Sequence, residues 1–477
     1  MLAEIRGINE ECGVFGIWSA DENVTPLVYY GLHALQHRGQ QGAGIVVKNG
    51  DGLKSHRGLG LVTEVFNRET MDSLNGTAAI GHVRYPNRGR TTIDSVQPFL
   101  YEFENSSMAL CHNGNLVNNR SLRRQLEAKG SIFHTKTDSE VLAHLIKRQK
   151  SNDIVVNMKV ALSQLKGAFA YILLTENEMI AALDPNGLRP LSIGRLGKAF
   201  VVSSETCAFD AIGASFQQDV HPGEVVIFND KGMRVETFTN ETSHSICSLE
   251  FIYLARPDSD IAGVNVHSAR KAMGMTLAKE SPVDADVVTA IPESAVSAAI
   301  GYSEAMRLPY EIGIIKNRYV ARTFIQPSQE LREIGVKMKL SAVRGVVSGK
   351  RVVVVDDSIV RGTTTKRCVQ RLREAGATEV HVRVASPVIK FPCFYGIDIQ
   401  TPEELIGFEK SVEDIRKMIG ADSLAFLSEE GLASAVNLPF PDEKYGGLNM
   451  SCFNGDYPTE LGDFKEIVTE LREKRGI

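Results

Sequence analysis

The chain has 477 residues, with 53 Lys and Arg against 58 Asp and Glu, which gives a formal net charge of −5. Hydrophobic residues make up 43% and charged residues 23%, the composition of an ordinary globular protein, which excludes a mainly disordered chain. At roughly 150 residues per domain, the length predicts about three domains, or two large ones with an extension. The near-neutral charge argues against a general nucleic-acid binder. No apolar run approaches the ~20 residues that a membrane helix needs.

The cysteines are too few and too scattered for a disulfide scaffold, which predicts a reducing, cytoplasmic setting. The first eleven residues, MLAEIRGINEE, contain three acidic residues and no apolar core, so we do not expect a secretory signal. Each cysteine is then a core residue, a metal ligand or a nucleophile. The seven are Cys12, Cys111, Cys207, Cys247, Cys368, Cys393 and Cys452.

From residue 12 to about 240, short apolar or alternating segments separated by Gly and Asp or Asn turns predict β-strands. Helical patterns at about 115–128 and 137–150 interrupt them, so sheets with helices packed outside fit this region. The strand segments are 14–18, 42–47, 168–174, 199–204 and 224–228.

After about residue 280, strand patterns alternate with helical ones. Two such βαβ units predict a parallel sheet. Residues 400–477 hold shorter helical patterns, such as SVEDIRKMIG and GDFKEIVTELREK, typical of a packing extension. The predicted strands are 285–291, 310–315, 350–357 and 379–386.

The most informative segment is VVVVDDSIVRGTTTKRC at 352–368, where an apolar strand ends in Asp356 and Asp357. A Ser/Gly/Thr loop leads from these carboxylates into a helix, and backbone N–H groups in such a loop form an anion site. The spacing matches neither a Walker loop nor a GxGxxG turn. Two adjacent carboxylates beside a phosphate loop suit ribose hydroxyls, or Mg²⁺ bound to them.

This segment resembles the phosphoribosyl-diphosphate (PRPP) loop of type I phosphoribosyltransferases. The resemblance implies that IPES at 291–294 is the pyrophosphate loop, with Ser294 at the metal beside Asp356 and Asp357. From the residues alone, the cationic stretch 316–333 is as compatible with a basic surface loop as with a lid, and the resemblance favours the lid. The implied PRPP-binding residues are Asp356, Asp357, Ser358, Arg361, Gly362, Thr363 and Thr364, and the implied lid cations are Lys316, Arg318 and Arg322.

Cys12 stands just before a predicted strand, in NEECGVFGIW. Its spacing alone fits an inert core cysteine. Five strings in order, however, resemble class II glutamine amidotransferases, which are N-terminal-nucleophile glutaminases. They are ECGVFGI (11–17), GLHALQHRGQQGAGI (31–45), GHVRYP (81–86), HNGNLVN (112–118) and TDSEVLAHLI (137–146).

The glutaminase resemblance implies that residues 1–11 are a propeptide. The freed α-amino group of Cys12 would then act as the base for its own thiol, which an amide nitrogen cannot do. Asn113 and the backbone N–H of Gly114 would form the oxyanion hole for the tetrahedral intermediate.

The same resemblance implies that Arg84 binds the glutamine α-carboxylate and Asp138 the α-ammonium group. Taken singly, each of the two is more typical of a surface ion pair. The chain departs from the family's RYxT pattern at Asn87, which keeps hydrogen-bonding capacity.

A glutaminase followed by a PRPP site resembles, over nearly the whole chain, a family of amidotransferases of purine (IMP) synthesis. The implied fold is an α+β N-terminal-nucleophile sandwich (αββα) followed by an α/β type I phosphoribosyltransferase domain with a parallel sheet. The implied divisions are a propeptide (1–11), a glutaminase domain (12–245), a phosphoribosyltransferase domain (246–400) and a helical extension (401–477).

The implied reaction hydrolyses glutamine at Cys12 and passes the ammonia to PRPP, the first committed step of the pathway. The products are 5-phospho-β-ribosylamine, glutamate and pyrophosphate. Tyr253 is the candidate residue for coupling the sites. Feedback inhibition by AMP and GMP and a homotetramer are implied as well, with no nucleic-acid or membrane partner.

Some members of that family hold a four-iron cluster on four cysteines. Cys247 and Cys393 match two of those positions, whereas the other two positions align with Gly446 and Asn449, and Cys452 falls outside the match. Because thiolates are the usual ligands, we expect no iron–sulfur cluster, and Mg²⁺ as the metal.

Three alternatives stay open. A different glutamine amidotransferase, such as a hexosamine-phosphate synthase, would carry sugar-isomerase repeats in place of DDSIVRGTT. A non-enzymatic sensor of PRPP or nucleotides would bind without turnover and leaves the glutaminase strings unexplained. The paired catalytic strings argue against a structural or interaction protein.

Overall fold

The structure is a computed structural model that describes residues 12–20, 22–85, 92–103, 106–317, 340–397 and 401–475. Strands of its amino-terminal half are β1 (Gly13–Trp18), β2 (Gly42–Asn49), β3 (Gly52–Leu59), β4 (Ala78–Arg84), β5 (Phe99–Phe103), β6 (Ser106–Leu116), β7 (Gly167–Thr175), β8 (Met179–Leu183), β9 (Ser192–Leu196), β10 (Ala199–Ser203), β11 (Ser215–Asp219), β12 (Glu224–Asn229) and β13 (Gly232–Thr237). Helices of this half are α1 (Thr25–Ala34), α2 (Val62–Val65), α3 (Arg68–Ser73), α4 (Asn119–Ala128), α5 (Ser139–Lys147), α6 (Ile154–Leu162) and α7 (Cys207–Ile212), with a 3-10 turn at Ile93–Ser95.

These strands form two antiparallel sheets that pack face to face. The seven-stranded sheet has the order β11-β9-β10-β1-β4-β2-β3, and the six-stranded sheet has the order β13-β12-β8-β7-β6-β5. Helices α1 and α7 cover the outer face of the first sheet, and α4, α5 and α6 cover the outer face of the second. This is the αββα sandwich that the resemblance implied.

The two-sided burial explains why inner strands such as β1 and β8 are apolar throughout instead of alternating. Successive side chains of a strand point to opposite faces. In β1, Phe15 and Ile17 pack under the helices, whereas Val14 and Trp18 lie between the sheets.

The carboxyl-terminal half is built around a parallel sheet. Its strands are β14 (Ile246–Cys247), β15 (Asp260–Ile261), β16 (Val264–Asn265), β17 (Val287–Ala290), β18 (Ile314–Lys316), β19 (Leu340–Ala342), β20 (Arg351–Asp356), β21 (Glu379–Val384), β22 (Ser423–Phe426) and β23 (Leu448–Asn449). Its helices are α8 (Val266–Glu280), α9 (Val296–Met306), α10 (Arg344–Val347), α11 (Thr363–Glu374), α12 (Ile406–Glu409), α13 (Val412–Ile419), α14 (Glu429–Val436), α15 (Ser451–Asn454) and α16 (Lys465–Arg475), with a π-helical turn at Glu250–Leu254 and 3-10 turns at Pro402–Glu404, Lys444–Gly447 and Gly462–Phe464.

The parallel sheet has the order β17-β20-β21-β22. Helices α8 and α9 cover one face, and α11 and α13 cover the other. Three predicted strands of this region, at 285–291, 350–357 and 379–386, are members of the sheet. No helix in the described part of the chain is both long and apolar enough to cross a membrane.

Two expectations for this half differ from the structure. The segment 310–315 was predicted as a strand of the sheet, but Tyr310 makes only an isolated bridge to Val288, and β18 pairs instead with β19 in a separate ribbon. The segment 401–477 was predicted to be a helical extension, yet it contributes β22 to the parallel sheet and β23, which pairs with β14. A boundary at residue 400 therefore divides strands of one sheet.

Candidate active site

Cys12 lies directly before β1, which pairs with β10 on one side and β4 on the other. The residue is 8% exposed, and its Sγ donates to the carbonyl oxygen of Tyr85 at 3.5 Å. It faces a cavity of about 1000 Å³ that Arg84, Gly114 and Asp138 also line. The structure thus brings the predicted nucleophile and three of its predicted partners to one space.

Asn113 and Gly114 lie on β6 next to this cavity. The Asn113 side chain is 1% exposed, and neither its Nδ2 nor its Oδ1 has a hydrogen-bond partner among the described residues. A buried amide without partners costs free energy, so this group fits a donor held for a reacting oxygen. Gly114 has φ +137, and an added Cβ would lie 2.2 Å from the carbonyl oxygen of Ala168, so only glycine fits there.

Arg84 and Asp138 provide opposite charges on the cavity wall. Arg84 ends β4, and its buried Nε has no partner among the described residues. One carboxylate oxygen of Asp138 accepts from the N–H of Leu116 at 2.9 Å, which fixes the side chain. In the described parts of the chain, Arg84 forms no salt bridge with an Asp or Glu, and Asp138 forms none with a Lys or Arg. Both therefore differ from the surface ion pairs considered from the sequence. The arrangement suits a zwitterionic amino acid.

A buried polar group beside Asn113 and Gly114 was not singled out from the sequence. His112 contacts Ser139 Oγ through Nδ1 at 3.1 Å, and its backbone N–H donates to Gln97 at 2.7 Å. Burial lowers the pKa of His112, and the charge of Asp138 opposes this effect without cancelling it. The lowered pKa keeps the ring neutral. The group holds β6 in place beside the cavity. Its only sequence signal is the histidine that begins HNGN.

The far wall of the cavity comes from the carboxyl-terminal half. Cys393, Phe394 and Phe464 line it, and Asn115 Nδ2 donates to the carbonyl oxygen of Phe394 at 2.8 Å. Asp463 accepts from the N–H of Arg120 at 2.6 Å, at the start of α4. The cavity therefore lies at the boundary between the two halves.

The second site lies at the carboxyl end of β20. Asp356 and Asp357 are buried, and Thr365 Oγ1 donates to Asp356 at 2.8 Å. Ser358 Oγ donates to Asp357 at 2.6 Å, and Ser294 Oγ donates to the other oxygen of Asp357. Burial, and then the charge of Asp357, raise the pKa of Asp356 well above its usual range. Burial also raises the pKa of Asp357.

The loop after these carboxylates turns sharply into α11. Gly362 precedes the helix with φ +73, a conformation that favours glycine, and Thr363 and Thr364 follow in the first turn. Arg361 forms a salt bridge with Glu404 at 2.7 Å. The backbone at a helix start suits a phosphate.

The carboxylate pair and the Ser294 hydroxyl fit Mg²⁺, because a hard cation would relieve the repulsion between two buried carboxylates. Within the described ranges, no group of three or more His, Cys, Asp or Glu is arranged to hold a metal ion. Mg²⁺ is commonly held by one or two carboxylates together with substrate phosphates, so a bound substrate would supply further ligands.

Of the predicted lid cations, the structure describes Lys316, which is exposed at the end of β18 and pairs in register with Leu340 of β19. Arg318 and Arg322 lie outside the described residues, as does Asn87. Tyr253 belongs to the turn Glu250–Leu254 and is half-buried.

Three thiols gather where β14 meets β23. Cys452, which the sequence match placed outside the cluster positions, interacts with Cys393, and this contact lowers the pKa of Cys393 to about 6. The pKa of Cys452 is raised by its contact with Cys393, then by burial and by the nearby Cys247. Asn449 lies opposite Cys247 in register. Among the described residues these thiols are not arranged to hold a metal ion, and the absence of an iron–sulfur cluster stays a prediction.

Comparisons with known proteins agree with this arrangement. A model described as a glutamine amidotransferase domain matches residues 88–211. The chain is 60% identical over 462 residues to an amidophosphoribosyltransferase of Bacillus subtilis (strain 168), covering 97% of each chain. It is 53% identical over 461 residues to that of Staphylococcus aureus (strain Mu50), covering 96% of this chain and 93% of the other.

A solved structure is similar as well. It is described as the B. subtilis glutamine phosphoribosylpyrophosphate amidotransferase complexed with ADP and GMP. It matches with a TM-score of 0.90 and 60% identity, covering 94% of this chain and 98% of that one. Together with the two sites, these similarities show that the chain belongs to the amidophosphoribosyltransferase family.

Proposed function

We propose that the chain hydrolyses glutamine at Cys12 and transfers the ammonia to C1 of PRPP. The products are glutamate, pyrophosphate and 5-phospho-β-ribosylamine, in the first committed step of purine synthesis. The observation that carries the proposal is the single cavity lined by Cys12, Arg84, Gly114 and Asp138, with a wall formed by the carboxyl-terminal half.

In the first half-reaction, Arg84 and Asp138 orient the amino-acid end of glutamine, and the Cys12 thiol attacks the side-chain amide. The α-amino group of Cys12 takes the thiol proton and returns it to the leaving ammonia. Asn113 Nδ2 and the Gly114 N–H stabilise the oxyanion. Water then hydrolyses the thioester and releases glutamate. This role requires removal of residues 1–11, which lie outside the described residues.

In the second half-reaction, ammonia attacks C1 of PRPP as pyrophosphate leaves. The loop 358–364 binds the 5′-phosphate, with Arg361, Gly362, Thr363 and Thr364, and the Asp356–Asp357 pair binds the ribose diol. Mg²⁺, held by this pair and Ser294, would stabilise the charge of the leaving group. Lys316, Arg318 and Arg322 would neutralise pyrophosphate charge from the lid.

The assay is glutamate release from glutamine with and without PRPP and Mg²⁺, beside ribosylamine synthesis from added ammonia. Cys12→Ala should abolish glutamine use and keep ammonia-dependent synthesis, whereas Asp356→Ala should impair both routes. Cys111→Ala is the matched control, because burial raises the pKa of that thiol and it lines no part of the cavity. Glutamine-dependent activity in Cys12→Ala would refute the assignment of the nucleophile.

The remaining parts of the proposal concern assembly and regulation. The similar B. subtilis structure was described with ADP and GMP bound, which supports feedback inhibition by purine nucleotides such as AMP and GMP. None of the seven cysteines, all of which lie in the described ranges, forms a disulfide, which fits a reducing cytoplasm. We also propose the homotetramer and the division at residues 12–245 and 246–400, with β22 added to the second domain.

A further inference from the structure

A group of buried charged side chains joins the two halves of the chain outside both sites. Arg38 Nε pairs with Glu205, and Arg38 Nη2 pairs with Glu250. Arg38 Nη1 also donates to Glu250 at 3.3 Å, and all three residues are at most 1% exposed. Buried ion pairs are weak contributors to stability because desolvation offsets their attraction. Their position therefore calls for another explanation.

On one side, Arg38 packs against the elements that carry the glutamine site. An added Cβ at Gly13, the neighbour of Cys12, would lie 3.3 Å from Arg38 Cδ. The next residue, Gly39, lies so close to β4 that an added Cβ would be 2.6 Å from the backbone nitrogen of Arg84. Because the interior is closely packed, a shift of Arg38 would displace the backbone that holds Cys12 and Arg84.

On the other side, Glu250 begins the turn Glu250–Leu254, which contains Tyr253. Arg270 of α8 holds this turn at both ends, because it donates to the carbonyl oxygens of Phe251 at 2.6 Å and Ala255 at 2.8 Å. Burial lowers the pKa of Arg270 to about 10, and the charge of Asp357 is the largest influence that opposes this effect. The same helix also contacts the element that leaves the PRPP site: His267 Nδ1 of α8 lies 2.9 Å from Ser297 Oγ of α9, and α9 begins two residues after Ser294, whose hydroxyl donates to Asp357.

Glu250 has a second route to the glutamine cavity. Its Oε1 lies 3.6 Å from Arg189 Nη1, and Arg189 Nη2 donates to the carbonyl oxygen of Tyr395 at 2.6 Å. Tyr395 follows Phe394, which lines the cavity wall. Both arginines that contact Glu250 therefore lead to the site of glutamine hydrolysis.

We propose that Arg38 and Glu250 are positioning residues that couple PRPP binding to glutamine hydrolysis. Binding at the Ser294–Asp357 pair moves α9 and the adjoining α8, Arg270 carries the movement to the turn 250–254, and Glu250 transmits it to Arg38. The inference rests on the proposed function and deepens it. A coupling of ordinary size corresponds to a change of about 5- to 150-fold in the affinity for glutamine between the states with and without PRPP.

The test measures glutamate release by the full chain with and without PRPP and Mg²⁺, and ammonia-dependent synthesis in parallel. Glu250→Gln should lower the stimulation by PRPP at least about fivefold. Its unstimulated glutamate release and its ammonia-dependent synthesis should stay at the wild-type level. A purely structural role would lower all three activities together.

Removal of a charge from a buried pair can prevent folding, so two milder variants keep the test decisive. Arg38→Lys keeps the charge but loses the planar fork, and Glu250→Asp keeps the charge but shortens its reach. Arg383→Lys is the matched control: Arg383 is 4% exposed and donates to the carbonyl oxygen of Ser281 at 2.9 Å, with no contact to this group among the described residues. The control should keep the wild-type stimulation.

Wild-type stimulation in folded Arg38→Lys and Glu250→Asp would overturn the inference, as would an equal loss in Arg383→Lys. If the wild-type protein itself released no glutamate, the proposed function would fail and this inference with it. A wild-type protein that is active and stimulated, beside variants that are active and unstimulated, supports both.

Discussion

At the scale of single residues, the cavity around Cys12 contains polar atoms that the described parts of the chain do not satisfy. Both polar atoms of Asn113 and the Nε of Arg84 are buried and have no hydrogen-bond partner among the described residues. Proteins pair nearly all such groups, so exceptions indicate a functional role. Arg84 lines this cavity together with Cys12, and Asn113 adjoins Gly114, which also lines it, so a bound amide substrate would satisfy these atoms.

Asn113→Ala should lower kcat for glutamine-dependent synthesis by about 10²–10³-fold, the usual cost of one oxyanion donor. Ammonia-dependent synthesis should not change, because the PRPP site is untouched. Thermal stability should not fall, since the side chain bonds to no described residue. Asn157→Ala is the control, because Asn157 is also buried but donates to the carbonyl oxygen of Ser151 at 2.8 Å, remote from the cavity. A fall in kcat below tenfold for Asn113→Ala would contradict its assigned role.

Asp356→Asn should raise Tm in metal-free buffer while abolishing synthesis by either route. The native state raises the pKa of Asp356, so it binds protons more tightly than the unfolded chain, and stability falls as pH rises above the ordinary carboxyl pKa of about 3.9. The gain of the variant should therefore be small near pH 4 and larger at pH 7. If the substitution raises the free energy of unfolding by about 1 kcal/mol, Tm should rise by ~2–4 °C in a domain of this size.

Asp184→Asn is the contrasting control, measured in the same melts. Burial raises the pKa of Asp184 to about 6, but its carboxylate accepts backbone N–H bonds from Phe169, Asn186 and Leu188. Its loss should lower Tm. If Asp356→Asn also lowered Tm at pH 7, the repulsion between the paired carboxylates would not be a cost to the native state.

At the scale of elements, the local sequence pattern predicted strands well where helices or a second sheet cover both faces of the strand's sheet. The four valines of β20 lie in the sheet because helices pack on either side. The sequence pattern assigns the segment 310–315 to the same sheet, yet Ile312 and Ile315 are exposed, and β18 pairs with β19 in a separate ribbon. β22 was missed because four half-buried residues are too few to show a period.

The carboxyl-terminal segment should be required for folding of the phosphoribosyltransferase half. A chain ending at residue 400 loses β22 and the buried Leu427 and Leu432, which leaves β21 as an open edge. We expect insoluble protein without ammonia-dependent synthesis. A chain ending at residue 464 loses only α16 and should fold with a lower Tm. Soluble, active protein from the shorter chain would show that β22 is dispensable.

At the scale of the whole molecule, the walls that complete the glutamine cavity were beyond the reach of sequence reasoning. Cys12, Arg84 and Asp138, which the glutaminase strings singled out, line one cavity, and their roles there stay a prediction. The hydrogen bond from Asn115 to Phe394 spans 279 residues of sequence, and no local pattern encodes such a contact. Coupling between the halves depends on contacts of this kind. A shared wall also has a chemical benefit, because ammonia and ribosylamine are both lost to water.

Removal of residues 1–11 should be required for glutamine-dependent synthesis but not for ammonia-dependent synthesis. An amide nitrogen cannot accept the thiol proton, whereas a free α-amino group has a pKa of about 7.7–8.0 and can. Intact mass analysis of active enzyme should therefore show a chain that begins at Cys12. A preparation that retains Met1 should make ribosylamine from ammonia but not from glutamine, because the PRPP site needs no free amino terminus. Full glutamine-dependent activity with Met1 in place would show that another group acts as the base.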